Sequence, residues 1–221
     1  EPQLVSEVHQ DFCAAGASIA CLNTYAITRT RIARGEGLLS LEELLHRAFS
    51  LAEEGIRNSG RKKIALISSL PPLIASYRAD IQLPMQKMIS EYRELINIQA
   101  GTVDGFLAET IPSISEAEAV LTAAEQSNIR IVLALTVSDE DGQILRSGES
   151  LTEALNAIQQ WDPLAIVINC SKPEAVSEAL PVLRHQGIPF GAFANGFTSV
   201  DALEPGGSVD VLEARTDLDP E

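Results

Sequence analysis

Basic residues are scarce in this chain. Its 221 residues hold 16 Lys and Arg against 31 Asp and Glu, a formal net charge of −15. A surface of that sign repels phosphate backbones and anionic lipid headgroups, which argues against nucleic-acid and membrane partners. The acidic residues are spread along the chain rather than gathered in one block, so they read as a solvated surface. Cysteine is sparse too. Cys13, Cys21 and Cys170 form no CxxC pair, which excludes a disulfide framework and any sequence-local zinc or redox motif. Long apolar runs are missing: the stretch 164–168 is far too short to span a bilayer. No charged-then-apolar leader opens the chain, and its first residue is Glu1. The expectation is a reducing, cytoplasmic setting and a stretch that begins inside a longer protein. No GxGxxG or Walker-type loop is present. The three histidines, His9, His46 and His185, fall on predicted helices away from strand ends, so no Ser-His-Asp or Cys-His device is in view.

What is present is a regular alternation. Helices are predicted over 4–15, 41–58, 85–100, 115–127, 150–161 and 173–186, and strands over 18–22, 63–68, 103–108, 130–136, 164–169 and 188–194. Ser40 with Glu43 three residues on forms a capping box for the second helix, Gly101 suits the end of the third, and Pro173 suits a first helical turn. Apolar runs that hardly alternate imply strands covered on both faces, and no hairpin signal separates them. The class is α/β with a parallel sheet. No composition shift or linker divides the chain, so residues 1–221 are expected to form one domain. A doubly wound sheet and a (β/α)8 barrel both satisfy this pattern. The first helix precedes the first strand, so a strand is expected upstream of Glu1, and a barrel would need one more beyond Glu221.

Polar residues gather where the strands end: Asn23-Thr24, Ser68-Ser69, Glu109-Thr110, Thr136, Asn169-Cys170-Ser171 and Asn195. That rim carries the active site in parallel α/β folds, and six consecutive polar tips favour a barrel, whose tips share one mouth. Cys170 is the sharpest of these residues. A buried cysteine is usually a small inert hydrophobe, but a thiol at a strand tip can also be a nucleophile or a soft metal ligand. Glu109 at the tip of a buried strand needs a partner. A salt bridge to a neighbouring loop and the amino group of a ligand are the two candidates.

Several strings, taken in order, resemble the homocysteine S-methyltransferase family. They are His-Gln-Asp-Phe-Cys-Ala-Ala-Gly-Ala from His9 with Asn23-Thr24-Tyr25, Leu70-Pro71-Pro72 with Ser76-Tyr77-Arg78-Ala79-Asp80, and Phe106-Leu107-Ala108-Glu109-Thr110-Ile111-Pro112 with Glu116-Ala117. Ser147-Gly148-Glu149, Ile168-Asn169-Cys170-Ser171 with Pro173, and Ala194-Asn195-Gly196 complete the set. The resemblance implies a TIM-type barrel whose strands two to seven lie in this chain. It implies zinc as cofactor with Cys170 as one ligand, Glu109 on the amino group of homocysteine, and Asn23 and Asn195 lining the same mouth. Ser68 and Thr110 join them as further substrate-site candidates, though their hydroxyls also suit hydrogen bonds to backbone. The implied reaction moves a methyl group from a sulfonium such as S-methylmethionine or S-adenosylmethionine to homocysteine, giving methionine.

The chain departs from the family in two places. The adjacent cysteine pair of the eighth strand does not occur, and Gly206-Gly207 is followed by Ser208-Val209. The Asp-Gly motif of the first strand is absent as well. A metal-free barrel that binds a small amino acid without methyl transfer is therefore the alternative. Cys13 and Cys21 are expected to pack in the core. The oligomeric state is not readable from the sequence.

Overall fold

The computed structural model describes residues 1–35, 39–125, 127, 129–200 and 212–218. The Gly206-Gly207-Ser208-Val209 stretch lies outside the described residues. Helix α1 (Pro2–Ala14) leads into β1 (Ile19–Leu22), the short α2 (Arg29–Ile32) and α3 (Leu41–Asn58). Then come β2 (Ala65–Leu70), α4 (Met85–Gln99), β3 (Gly105–Ile111), α5 (Ile114–Ala124) and β4 (Ile131–Leu135). The series closes with α6 (Leu151–Ile158), β5 (Ala165–Asn169), α7 (Pro173–Arg184) and β6 (Phe190–Phe193). The local signals explain the helix starts. Ser40 and Glu43 make the reciprocal capping box on α3, Ser150 and Glu153 make another on α6, and Pro173 sits in the first turn of α7.

The six strands pair in the order β1-β2-β3-β4-β5-β6, every pair parallel. This order decides between the two architectures left open by the sequence. A doubly wound sheet reverses its strand order at a switch point. A barrel adds each strand beside the last, and this sheet does so throughout, as a six-stranded stretch of barrel wall. Successive helices then pack side by side on one face: α1 on α3, α4 on α5, α5 on α6. The α1–α3 crossing is close because Gly55 lacks a Cβ. A methyl placed there would come within 2.4 Å of the Ser6 carbonyl oxygen.

Alternation along the strands sorts residues onto two faces. Leu66, Leu70, Phe106, Ala108, Leu133, Leu135, Ile166 and Ile168 are buried against the helices. Most of these join one core with Leu45, Tyr92, Ile96, Val120, Leu155 and Ala179. Cys13 joins a second cluster with Ala20, Leu22, Ala52 and Leu66, so it packs behind the sheet as expected. Cys21 does not. It belongs to neither core cluster and shares the concave face with Ile67, Leu107, Glu109, Val132 and Val167, all only partly buried. Strand parity is the reason, since Cys21 lies between the inward-packed Ala20 and Leu22.

Candidate functional site

The candidate site forms where β3 and β5 end. The apolar pattern predicts a third strand ending at Ala108, whereas β3 continues through Glu109 and Thr110 to Ile111. A register shift between Ala108 and Ile111 absorbs the extra residues, and Thr110 takes φ +61°. Such a value is strained for a β-branched residue. At the end of β5, Cys170 takes φ +52°. The two strained residues face each other across the gap. Asn169 bridges them: its Oδ1 accepts the Thr110 N–H at 3.0 Å and its Nδ2 donates to Thr110 Oγ1 at 3.0 Å. Thr110 Oγ1 and Asn169 Nδ2 both point hydrogens at Cys170 Sγ, at 3.5 and 3.2 Å. The Tyr77 hydroxyl reaches the same sulfur. Asn195 Nδ2 donates to the Cys170 carbonyl at 3.0 Å and fixes its backbone from the β6 side. The sulfur at 170 is thus partly exposed and ringed by hydroxyl and amide donors.

Glu109 stands on the concave face beside this cluster. Its carboxylate accepts a hydrogen bond from Ser69 at 2.5 Å. No cation lies within ion-pair distance of it among the described residues. Burial lifts its pKa above the usual carboxylate range, and the Ser69 bond only partly opposes this. Burial also raises the Cys170 thiol, with Thr110 and Tyr77 opposing. Cys21 is pushed up to about 12 by burial and then by the Glu109 charge, so it stays a neutral thiol.

The other expected residues are placed unequally. Thr110, Glu109, Cys170 and Asn195 come together as described. Ser68 lies on the helix side of β2, fully buried, donating to Gln99 Oε1 at 2.6 Å and sharing a hydrogen bond with Thr24 at 3.0 Å. Its neighbour Ser69 is the serine that meets Glu109. Asn23 is exposed beside an apolar hollow of about 480 Å³ between α1 and β1, lined by Leu4, Phe12, Ile19 and Cys21, and no hydrogen bond joins it to the Cys170 cluster. All three histidines lie on or at the end of helices, as expected.

Three side chains of the rim are not marked as site residues by the sequence, although Tyr77 lies within one of the family-like strings. Arg146, on the loop after β4, stacks over the Tyr77 ring at 4.8 Å, pairs with Asp139 at 3.0 Å and donates to Thr136 Oγ1 at 3.1 Å. That loop packs closely on α7: a Cβ on Gly142 would fall 2.0 Å from the Ala175 carbonyl oxygen. Tyr77 itself takes φ +63°. Arg31, in α2, stacks over the Tyr25 ring at 5.0 Å. Stacks of this kind leave no periodicity to read.

Among the described residues, no three His, Cys, Asp or Glu side chains converge on a point that could hold a metal ion. Zinc takes four ligands, so Cys170 alone does not retain one. Cys13 cannot help from behind the sheet. The described residues do not make a zinc site by themselves.

A sequence profile of the homocysteine S-methyltransferase family matches residues 1–218. Homocysteine S-methyltransferase 1 of Zea mays is 29% identical over 208 residues, covering 84% of this chain and 64% of that protein. Its namesake from Brassica oleracea var. italica is 28% identical, covering 79% and 60%. The chain therefore spans less than two thirds of the length of these relatives. Among solved structures, the homocysteine methyltransferase MmuM from Escherichia coli, in its metallated form, superposes with a TM-score of 0.71 at 20% identity, over 88% of this chain and 80% of that one. At that identity the likeness establishes the fold, a TIM-type barrel that is incomplete in this chain.

Proposed function

The chain belongs to the homocysteine S-methyltransferase family, and from that premise we propose that the whole protein methylates homocysteine from a sulfonium donor, S-methylmethionine or S-adenosylmethionine, to give methionine. What carries the reading is the presentation of Cys170: a strand-tip sulfur held by Thr110 and Asn169 in strained backbone, beside a desolvated carboxylate with no cation in ion-pair reach among the described residues. In this reading Glu109 takes the ammonium of homocysteine, which supplies the missing countercharge and returns the carboxylate to its ionised form. Ser69 orients that carboxylate. Thr110 and Asn195 hold the Cys170 loop, and Asn23 lies further along the same wall. Ser68, on the helix side, braces β2. The chain acts as one domain, the larger part of a barrel.

The reaction balances simply. The homocysteine thiol loses its proton to solvent, its sulfur attacks the methyl carbon, and the methyl–sulfur bond of the donor breaks to release a neutral thioether. Positive charge disappears in the step, so the site's task is to orient the two sulfurs and exclude water. Zinc is proposed as cofactor of the whole protein with Cys170 as one thiolate ligand. Two further thiolates are needed beyond those this chain brings to the rim, and no step above runs through the metal. No helix among the described residues is long and apolar enough to cross a membrane; a cytoplasmic setting is part of the proposal.

The test uses the full-length protein. Methionine formation from homocysteine and S-methylmethionine, together with bound zinc, is the expected result, and Cys170→Ala abolishes both while leaving the melting temperature within a few degrees. A full-length protein that binds homocysteine but neither retains zinc nor forms methionine establishes the metal-free alternative instead.

A further inference from the structure

Two arginine–tyrosine stacks flank the Cys170 cluster, and they are not equivalent. Arg146 over Tyr77 is neutralised by Asp139 at 3.0 Å, with side-chain exposures of only 11% and 14%. That stack is complete. Arg31 over Tyr25 has no carboxylate within 4 Å among the described residues. Its Nη1 donates to the Tyr25 carbonyl at 2.8 Å and its Nη2 to Ser76 Oγ at 3.3 Å. A guanidinium carries five N–H donors, so most of its capacity is open. Glu116 is the carboxylate whose charge acts on it, but Glu116 spends Oε1 on the Leu73 N–H and the Tyr92 hydroxyl, at 3.0 and 2.9 Å. Burial draws the Arg31 pKa down, the sign of a cation short of compensation.

The arginine is held where it is. Thr28 caps α2 by accepting the Arg31 N–H at 3.3 Å, and its hydroxyl donates to the Leu73 carbonyl at 3.2 Å, which pins the short helix to the loop after β2. The Tyr25 hydroxyl shares a 2.6 Å hydrogen bond with Ser76 and also reaches Thr110, the residue whose Oγ1 donates to Cys170 Sγ. Ser76 precedes Tyr77, which touches the same sulfur. Arg31 therefore lies on the same rim, its partners Ser76 and Tyr25 close to residues that neighbour the sulfur.

We propose that Arg31, with the hydroxyls of Ser76 and Tyr25, is a carboxylate-binding subsite for the methyl donor, and that it selects a zwitterionic amino-acid sulfonium over a sulfonium with no carboxylate. The inference rests on the methyl-transfer reading and names the donor class within it. A donor that is only cationic meets an uncompensated guanidinium and is repelled. An α-carboxylate three carbons from the sulfonium turns that repulsion into a charge-assisted, two-pronged hydrogen bond, while its sulfur stays directed toward the Cys170 end of the rim.

The experiment compares S-methylmethionine with its decarboxylated counterpart, (3-aminopropyl)dimethylsulfonium, on the full-length protein. The wild type favours the carboxylate-bearing donor, and Arg31→Gln raises its KM by roughly 10- to 100-fold. The KM for homocysteine stays put, that for the decarboxylated donor falls as the repulsion is relieved, and Arg31→Lys recovers part of the preference. A preference that survives Arg31→Gln, or an equal loss with both donors, overturns the proposal in favour of a purely structural brace. Calorimetric binding of the two sulfoniums separates the readings if no methyl is transferred. Arg31-dependent binding of the zwitterion alone keeps the subsite and removes the methyl-transfer reading; binding of neither removes the subsite as well.

Discussion

Strand β4 shows the two faces of this sheet side by side. Leu133 and Leu135 point into the helices and are fully buried, while Val132 between Ile131 and Leu133 points to the concave side and is only partly buried. The same division runs across the sheet. The helix side is closed by aliphatic packing, and Ser68 with Gln99 and Glu116 with Tyr92 and Leu73 pair their polar groups there, while Glu91 Oε2, Arg93 Nε and Trp161 Nε1 are the buried side-chain atoms left without a hydrogen bond among the described residues. The concave side and its rim hold the groups that are not settled among the described residues: Glu109 with no cation in ion-pair reach, Arg31 with no carboxylate in ion-pair reach, and Cys170 with a thiol lifted by burial. Backbone strain follows the same line. Of the non-glycine residues with positive φ, Tyr77, Thr110 and Cys170 all meet at the one rim. Strain and unpaired charge persist only where the surroundings enforce them, and they collect at working sites. One face supplies the stability that the other spends.

The largest expected effect tests that division directly. Leu133→Ala removes a fully buried side chain and leaves a cavity, costing about 2–5 kcal/mol. Val132→Ala, one residue away on the opposite face, costs less, about 1 kcal/mol, because fewer carbons are lost from a side chain that is only partly buried. Urea midpoints of the two variants measure the difference. Equal costs would mean that the concave face is as tightly filled as the helix face, and the contrast between them would fail.

The smaller effects depend on details that the sequence carried unequally. The helix starts, the parallel class and the strand count were readable because caps and hydrophobic periodicity are local. Cys170 and Glu109 were readable because they are polar punctuation after apolar runs. The end of β3 was not, since a strand that passes through Glu109 and Thr110 looks in sequence like a strand that has stopped. Only a bulge with positive φ lets it continue. The choice between Ser68 and Ser69 was in fact decidable. Ser68 lies midway between Leu66 and Leu70, so parity assigns it to the core face and Ser69 to the rim. Arg31 comes from α2 and Tyr77 and Arg146 from two separate loops, and nothing in their spacing announces that they share one rim.

Glu109→Gln sharpens the comparison at the next level. It is expected to weaken homocysteine binding by roughly 10- to 100-fold, the range of a lost charge-assisted bond, read by calorimetry on the full-length protein. It also changes how stability depends on pH. Burial lifts the Glu109 pKa in the folded chain above its unfolded value, so the folded state binds more proton. Stability contributed this way is present below the ordinary carboxylate range, declines as pH climbs toward the raised value, and is absent above it. The variant should therefore match the wild type at low pH and exceed it at neutral pH in thermal melts without ligand. A wild type that gains on the variant as pH rises would mean that the carboxylate has a cationic partner, and the concave face would then be electrically complete.

The smallest effect isolates strain from chemistry. Cys170 sits at φ +52°, a conformation that costs a side-chain-bearing residue about 1 kcal/mol or more and costs glycine almost nothing. What the side chain returns is modest: two hydrogen bonds to sulfur, at 3.2 and 3.5 Å. Cys170→Gly should therefore raise the unfolding free energy by up to about 1 kcal/mol while methyl transfer disappears, whereas Cys170→Ala loses the same activity without relieving the backbone. The difference between the two variants in one denaturation series measures the stability given up to aim a sulfur at the rim. If glycine proves no more stable than alanine, the positive φ is not strained in this setting, and Cys170 would be held by its neighbours at no expense to the fold.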